Sequence, residues 1–419
     1  MKRIKIIASL ILHLCIVSFM STLRQQMDRV NNPEELLQTV PDLELTELIH
    51  LSGSIYSTEE EKNYSITRVI EKIKQNGMIP LYESLVKNTA IFKLDEEIIS
   101  IISKKNEDEL KTLDEKIKDA TENYGDLEVR NCQYEKLVYL IRIGNKEECL
   151  KELEIALEKT VGGLRTELLF LGIRIGLFWN DSELVNSFLL KSQDQLKTTS
   201  DWERKNRFKV YDAIHKISTR KFSLASELLL DSITTFTAVE LMSFDRLIFY
   251  TVLTSILSVD RVTLKNKLLT CPDILKIALQ PDKKYLLEYI ENFYNGKYLE
   301  FSKALLDIIF MIRKDIYLYP HYKFYLRSIR LRAYKQYLEP FESVSITKMA
   351  DSFGVSPQFL ERDVVTFISS SKLPCTIDKV KQTIICNYID KKTNNYNEII
   401  EKGDALLNRL QKLSRIVQV

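Results

Sequence analysis

Five times between residues 144 and 306 the chain repeats one pattern, a short polar turn followed by an amphipathic helix. The segments are GNKEECLKELEIAL from Gly144, WNDSELVNSFLL from Trp179, TRKFSLASELLL from Thr219, VDRVTLKNKLL from Val259 and YNGKYLEFSKALL from Tyr294. Their second residues, Asn145, Asn180, Arg220, Asp260 and Asn295, stand 35, 40, 40 and 35 positions apart. That period is the length of one antiparallel helix pair, and each pair leaves an apolar face that only the next can cover. In the third segment Phe222, Ala225, Leu228, Leu229 and Ile233 share a face, with Ser223 and Glu227 toward water. From Leu45 to about residue 340 no run alternates with period two for long enough to make a sheet. The expected product is a curved helical stack with a long surface for another protein. Few turns agree with it: Gly and Pro together are 20 of 419 residues, about 5% against a usual 12% or so.

The repeat has the period of tetratricopeptide-like units, and at 45% hydrophobic the chain can bury two or three cores of roughly 150 residues each. Its 60 Lys+Arg and 58 Asp+Glu leave a net charge of +2, so bulk attraction to nucleic acid or to a membrane is not its organising principle. No G-x-x-x-x-G-K-[ST], G-x-G-x-x-G or G-x-S-x-G occurs, which removes the common phosphate cradles and the nucleophile elbow. His13, His50, His215 and His321 are isolated, without the spacing that sets two imidazoles on one metal. The six cysteines (Cys15, Cys132, Cys149, Cys271, Cys375, Cys386) form no C-x-x-C pair and read as reduced thiols. Cys375 and Cys386 are spaced to face each other across a small hairpin. The charge-rich stretch Asn106 to Glu128 is expected to be one helix, with Leu110, Leu113 and Ile117 on its inner stripe and its carboxylates solvated.

Near Ser343 the pattern changes. In SITKMADSFGV, Ser345 can cap a short helix, Ile346, Met349, Ala350 and Phe353 form its apolar stripe, and Gly354 ends it. Ser356 then caps a second helix with Pro357 at its first position and Leu360, Val364, Phe367 and Ile368 inward. Two β-prone runs follow, Cys375 to Ile377 and Thr383 to Cys386. Helix, turn, helix and hairpin in about 45 residues is a winged-helix layout. The second helix carries Glu361, Arg362 and Asp363, net negative, which disfavours docking in a DNA groove. After a polar linker (Asp390 to Asn397) comes a final helix. Its seam, Ile399, Gly403, Leu406, Leu410, Leu413 and Val417, steps by 4, 3, 4, 3 and 4, which is heptad spacing. Ile400, Leu407 and Ile416 widen it toward what a helical bundle needs.

Two segments admit rival readings. Residues 1 to 23 place Lys2, Arg3 and Lys5 before an uncharged stretch, the layout of a secretory signal, yet no small-x-small cleavage site follows. Met20 and Met27 offer downstream starts, and an upstream extension of a cytosolic chain is the favoured reading over a targeting segment or a packed helix. Glycan at the sequons of Asn63 or Asn180 would exclude the cytosolic reading. Between Arg313 and Leu338, Lys323, Arg327 and Arg330 are interleaved with Tyr319, Tyr322, Phe324, Tyr325 and Tyr334. That suits single-stranded nucleic acid, but equally a packed helix whose arginines pair with acidic neighbours, which is preferred.

A helical repeat running into a winged helix resembles PCI-domain proteins, which serve the proteasome lid, the signalosome and a translation initiation factor complex. Longer stretches, among them NEDELKTLDEKI from Asn106, DWERKNRFKVYDAI from Asp201, PHYKFYLRSIRLRAYKQYLE from Pro320, MADSFGVSPQFLERDVVTFI from Met349 and KGDALLNRLQKLSRIV from Lys402, resemble the proteasome lid members more specifically. The resemblance runs from about residue 75 to the end. It implies a mainly α fold, a tetratricopeptide-like solenoid with a winged-helix module and a C-terminal bundling helix, acting as a non-catalytic scaffold without cofactor or metal. Expected partners are other lid subunits, both PCI subunits and the deubiquitinating pair, with the ATPase ring and core particle further candidates. Neither nucleic acid nor membrane is expected, and the location is cytoplasm and nucleus. A signalosome or initiation-factor subunit and a nucleic-acid-binding PCI protein are the alternatives. The divisions are 1–23 leader, 24–130 N-terminal helices, 131–342 solenoid, 343–389 winged helix, forming the PCI domain with the preceding repeats, and 390–419 final helix. Subunit contacts are assigned to the edge of the strand Thr383, Ile384, Ile385, Cys386 and to Ile399, Leu406, Leu410, Leu413 and Val417.

Overall fold

At four of the five repeat turns the backbone closes the preceding helix in the same way. The amides of Asn145, Asp181, Lys221 and Lys297 donate five residues back, to the carbonyls of Leu140, Gly176, Lys216 and Asn292, at 2.8 to 3.4 Å. The residue before each donor is left-handed: Gly144 at φ 83°, Asn180 at 53°, Arg220 at 66° and Gly296 at 74°. This bond and this conformation together satisfy carbonyls that a helix end would otherwise orphan. Val259 stays extended at the fourth turn, and the helix after it is cut to Arg261–Leu264 and a π turn, Lys265–Leu269.

The computed structural model describes residues 33–88, 96–198, 201–278, 280, 283–387 and 391–417; the leader, 1–23, lies outside them. The N-terminal helices are α1 (Pro33–Gln38), α2 (Leu43–Gly53), α3 (Glu59–Asn76), α4 (Ile79–Asn88) and α5 (Glu96–Asn123). The repeat follows as α6 (Asp126–Ile143), α7 (Lys146–Lys159), α8 (Gly163–Phe178), α9 (Ser182–Thr198), α10 (Trp202–Ser218), α11 (Phe222–Ser232), α12 (Phe244–Ser258), α13 (Arg261–Leu264), α14 (Pro272–Ala278), α15 (Lys284–Asn295), α16 (Tyr298–Lys314) and α17 (Tyr322–Leu338). One correction falls here. The stretch 106–128 is two helices, because Gly125 is extended and stands at the N-cap of α6. The face of the third repeat is as expected at Phe222, Ala225, Leu229 and Ile233, which are buried, with Ser223 and Glu227 exposed, while Leu228 is only half-buried.

The chain divides into two compact units, the residues up to Leu286 with Asp307–Lys323, and Leu287–Leu306 with Phe324 onward. In the first, every residue of α8 from Thr166 to Phe178 is buried, the charged Glu167 and Arg174 among them. Gly172 and Gly176 set its distance from α9: a Cβ on either would meet Phe188 or Val185 at 2.7 Å. Arg174, fully buried on this helix, donates to the carbonyls of Leu37 (3.0 Å) and Gln38 (2.9 Å) at the C-terminal end of α1, where carbonyls lack helical partners.

Two ionic networks lie in the same unit. Glu167 accepts from Arg207 at 2.6 and 3.1 Å and from Arg204 at 3.2 Å, while Glu240 accepts from Arg207 at 2.6 Å and from the Tyr211 hydroxyl at 3.0 Å. Burial opposes the charge on Arg207, but Glu240 and Glu167 outweigh it and hold the guanidinium more basic than usual. In the other, Arg246 donates to Tyr250 (2.7 Å) and Asp315 (3.0 Å) and pairs with Glu47, and Tyr250 donates to Asp315 (2.6 Å).

The second unit holds the wing. Its core is aromatic: Tyr289 stacks on Phe301 (5.1 Å) and its hydroxyl meets that of Tyr325 (3.0 Å), while Tyr334 meets Phe353 (5.0 Å) and Phe367 (6.1 Å) edge-on. The rings Tyr325 and Tyr334 of the basic-aromatic segment are thus core, and Arg330 is ion-paired with Asp363 at 3.3 Å.

Candidate assembly surfaces

The winged helix is built from short signals. Strand β1 (Ser343–Ser345) leads into α18 (Ile346–Phe353), whose Ile346, Met349, Ala350 and Phe353 are all buried and whose end is Gly354 at φ 67°. Ser345 occupies the N-cap, but its hydroxyl meets that of Thr347 (2.8 Å) and caps no amide. Ser356 does cap α19 (Pro357–Ser369), accepting from the Phe359 amide, and Leu360, Val364 and Phe367 are its buried face. Strands β2 (Cys375–Asp378) and β3 (Thr383–Cys386) complete an antiparallel sheet in the order β1-β3-β2.

That order corrects the expectation for the wing. Thr383, Ile384 and Ile385 pair with Ser345, Val344 and Ser343 on one side, and Thr383 to Cys386 pair with Asp378 to Cys375 on the other. Both hydrogen-bonding edges of β3 are therefore occupied, and it cannot receive a strand from another chain. Among the described residues the sheet ends at β1 and β2. Alternation aims the Ile377 backbone outward from β2, because Thr376 is the residue that bonds to Ile385. On the sheet faces Ile384 and Cys386 are buried, Thr383 is half-buried and Ile385 is 38% exposed. Strand β1 escapes sequence reasoning because three residues show no alternation. The wing tip adds Val380, 95% exposed between Lys379 and Lys381.

The last helix, α20, spans Lys391–Val417 and so begins inside the stretch expected to be linker. Ile399, Leu406, Leu410, Leu413 and Val417 are 53 to 81% exposed, and Ile400, Leu407 and Ile416 beside them are exposed too. An amphipathic helix with its apolar side in water is stable in numbers, not alone. Elsewhere, Trp202, the first residue of α10, and Val161 and Val239, which precede α8 and α12, are exposed apolar residues that sequence reasoning did not single out. Among the described residues no three His, Cys, Asp or Glu gather as a metal site, and no helix is long and apolar enough to cross a membrane.

A stack of antiparallel helix pairs, a winged helix and a terminal helix with a bare seam define a PCI-domain protein, and family profiles agree. The profile described as 26S proteasome subunit RPN7 matches residues 95–267, the PCI domain matches 310–387, and the C-terminal helix of 26S proteasome regulatory subunit RPN7/PSMD6 matches 396–417. The 26S proteasome non-ATPase regulatory subunit 6 homolog of Arabidopsis thaliana is 41% identical over 360 residues, 86% of this chain and 92% of that protein. The subunit 6 of Dictyostelium discoideum is 38% identical over 387 residues, 92% of this chain and all of its own length. COP9 signalosome complex subunit 1 of Arabidopsis thaliana is 27% identical over 153 residues, 36% of this chain and 34% of its own. The chain belongs to the family of 26S proteasome non-ATPase regulatory subunit 6.

Proposed function

We propose that the chain is a non-catalytic structural subunit of the proteasome regulatory-particle lid, joined to its neighbours by the seam of α20 and by the outer edges of the wing sheet. The observation that carries this reading is the seam itself. Covering a large apolar side chain is worth roughly 1.5 to 3 kcal/mol, against about 0 to 1 kcal/mol for an exposed ion pair, so five such residues outweigh any arrangement of surface charge. An incoming strand would add to β2 or β1 by main-chain hydrogen bonds, with β3 as the fixed centre. Partners are other lid subunits, PCI subunits and the deubiquitinating pair, with the ATPase ring and core particle beyond them, in cytoplasm and nucleus.

Expression of Leu410→Asp in cells lacking the native chain tests the reading. Lid subunits are expected to co-purify with the unaltered chain and not with the variant, whose circular dichroism and thermal unfolding stay as they were. Normal co-purification of the variant removes the helix from the interface. No observation favours a nucleic-acid role, since Arg330 is committed to Asp363.

A further inference from the structure

Among the described residues, two thiols are brought face to face by the fold itself. Cys375 of β2 and Cys386 of β3 are register partners. The Asn387 amide donates to the Pro374 carbonyl (2.9 Å), while the Cys386 amide donates away from β2, to Glu342 (2.8 Å). The two cysteines are therefore a non-hydrogen-bonded pair, in which opposite Cα atoms stand near 4.5 Å, within the span of a disulfide. Both are free thiols on the inner face of the sheet, 4% and 8% exposed. The Cys386 thiol donates to the Leu338 carbonyl at 4.0 Å.

We propose that this pair is a site of reversible oxidation by hydrogen peroxide, a latent cross-strand disulfide that staples the outer wing strand to the centre of the sheet. The Cys386 thiolate attacks a peroxide oxygen, the O–O bond breaks, and Cys386 becomes a sulfenic acid while hydroxide takes up the released thiol proton as water. The Cys375 sulfur then attacks the Cys386 sulfur. The S–S bond forms, the S–O bond breaks, and the hydroxide leaves with the Cys375 proton as a second water. Two thiols are oxidised by two electrons and one peroxide is reduced to two waters.

Cys386, at 8% the more exposed of the two, is the thiol that an oxidant meets first. Burial, with Cys386 beside it, pushes the Cys375 thiol up to about 12, which suits a resolving thiol. Burial raises the Cys386 thiol as well. Both shifts slow the first step, so the pair responds to sustained oxidant, after the half-exposed Cys132 and Cys271.

The test treats the full-length chain with hydrogen peroxide or with dithiothreitol, alkylates it in denaturant, and maps its peptides without reduction. Peroxide is expected to yield a peptide linking Cys375 to Cys386 that dithiothreitol reverses. Amide exchange in β2 and β3 is expected to slow tenfold or more once the link has formed. In Cys375→Ser the link disappears and a dione probe labels Cys386 as sulfenic acid. Complete alkylation of both cysteines after peroxide, or links to other cysteines instead, overturns the proposal. The wild-type map decides the matter even if the serine variant does not fold.

Discussion

Glu167 holds two arginines at once, and Arg207 holds two glutamates, in a part of the first unit that excludes water. Removing one member leaves an uncompensated buried charge, which typically costs about 3 to 5 kcal/mol. Glu167→Ala is expected to lower stability by that amount in urea unfolding, and a loss under about 1 kcal/mol would mean that water reaches the site. None of this was legible in the sequence, because the partners stand 33 to 40 positions apart and an arginine on a repeat helix looks like any solvated one. His50 gives a pH dependence. Burial against the Tyr319 ring (5.2 Å) lowers its folded pKa below the usual 6.5, opposed in part by the Lys314 backbone and the Asp315 charge. His215 is lowered by burial as well. As pH falls through about 6.5 the unfolded chain therefore takes up protons before the folded one, and stability is lost down to the folded pKa values. The depressed carboxylates, Glu61, Asp181 and Asp201, contribute the same loss only below about 4. The urea midpoint should drop between pH 7.5 and 5.5, and drop less in His50→Gln.

At the scale of elements, pattern and structure agree where one face is dry and part where context decides. Four of the five repeat turns, the third repeat's face apart from Leu228 and both winged-helix stripes apart from Ile368, each of the two half-buried, were readable, since each rests on spacing within a dozen residues. Strand β1 was not. It exists because β3 offers an edge some 40 positions downstream, and that same pairing makes β3 central. The start of α20 was misjudged for a related reason: Asn and Thr favour turns as single residues, but a long helix propagates through them once nucleated. The contact of α8 with α9 separates two opposed effects. Glycine to alanine inside a helix ordinarily gains up to about 1 kcal/mol, yet a Cβ on Gly172 would stand 2.7 Å from the Phe188 ring. Overpacking of that kind costs roughly 1 to 3 kcal/mol. Gly172→Ala is therefore expected to lower the urea midpoint, and an increase would show that Phe188 swings aside freely.

For the whole molecule the question is whether one bare helix can bind by itself. Covering its five large seam residues yields about 7 to 15 kcal/mol in gross terms, and bringing two molecules together costs roughly 4 to 15 kcal/mol. The two ranges nearly cancel, so a single pair of helices is marginal, whereas a second contact at the wing adds affinity without incurring the association cost again. The sequence displays the seam but not what would cover it, so the proposed site was legible only as an exposed apolar stripe. The isolated chain should accordingly sediment as a monomer near 1 μM, where half-association would need a net of about 8 kcal/mol, and begin to self-associate only toward 100 μM, where about 5 kcal/mol suffices. Charging two seam positions, Leu406→Asp with Leu413→Asp, should leave a monomer at both concentrations with the unfolding of the repeats unchanged. Self-association that survives those substitutions would point to another surface, and the exposed Val161, Trp202 and Val239 would then be the residues to charge next.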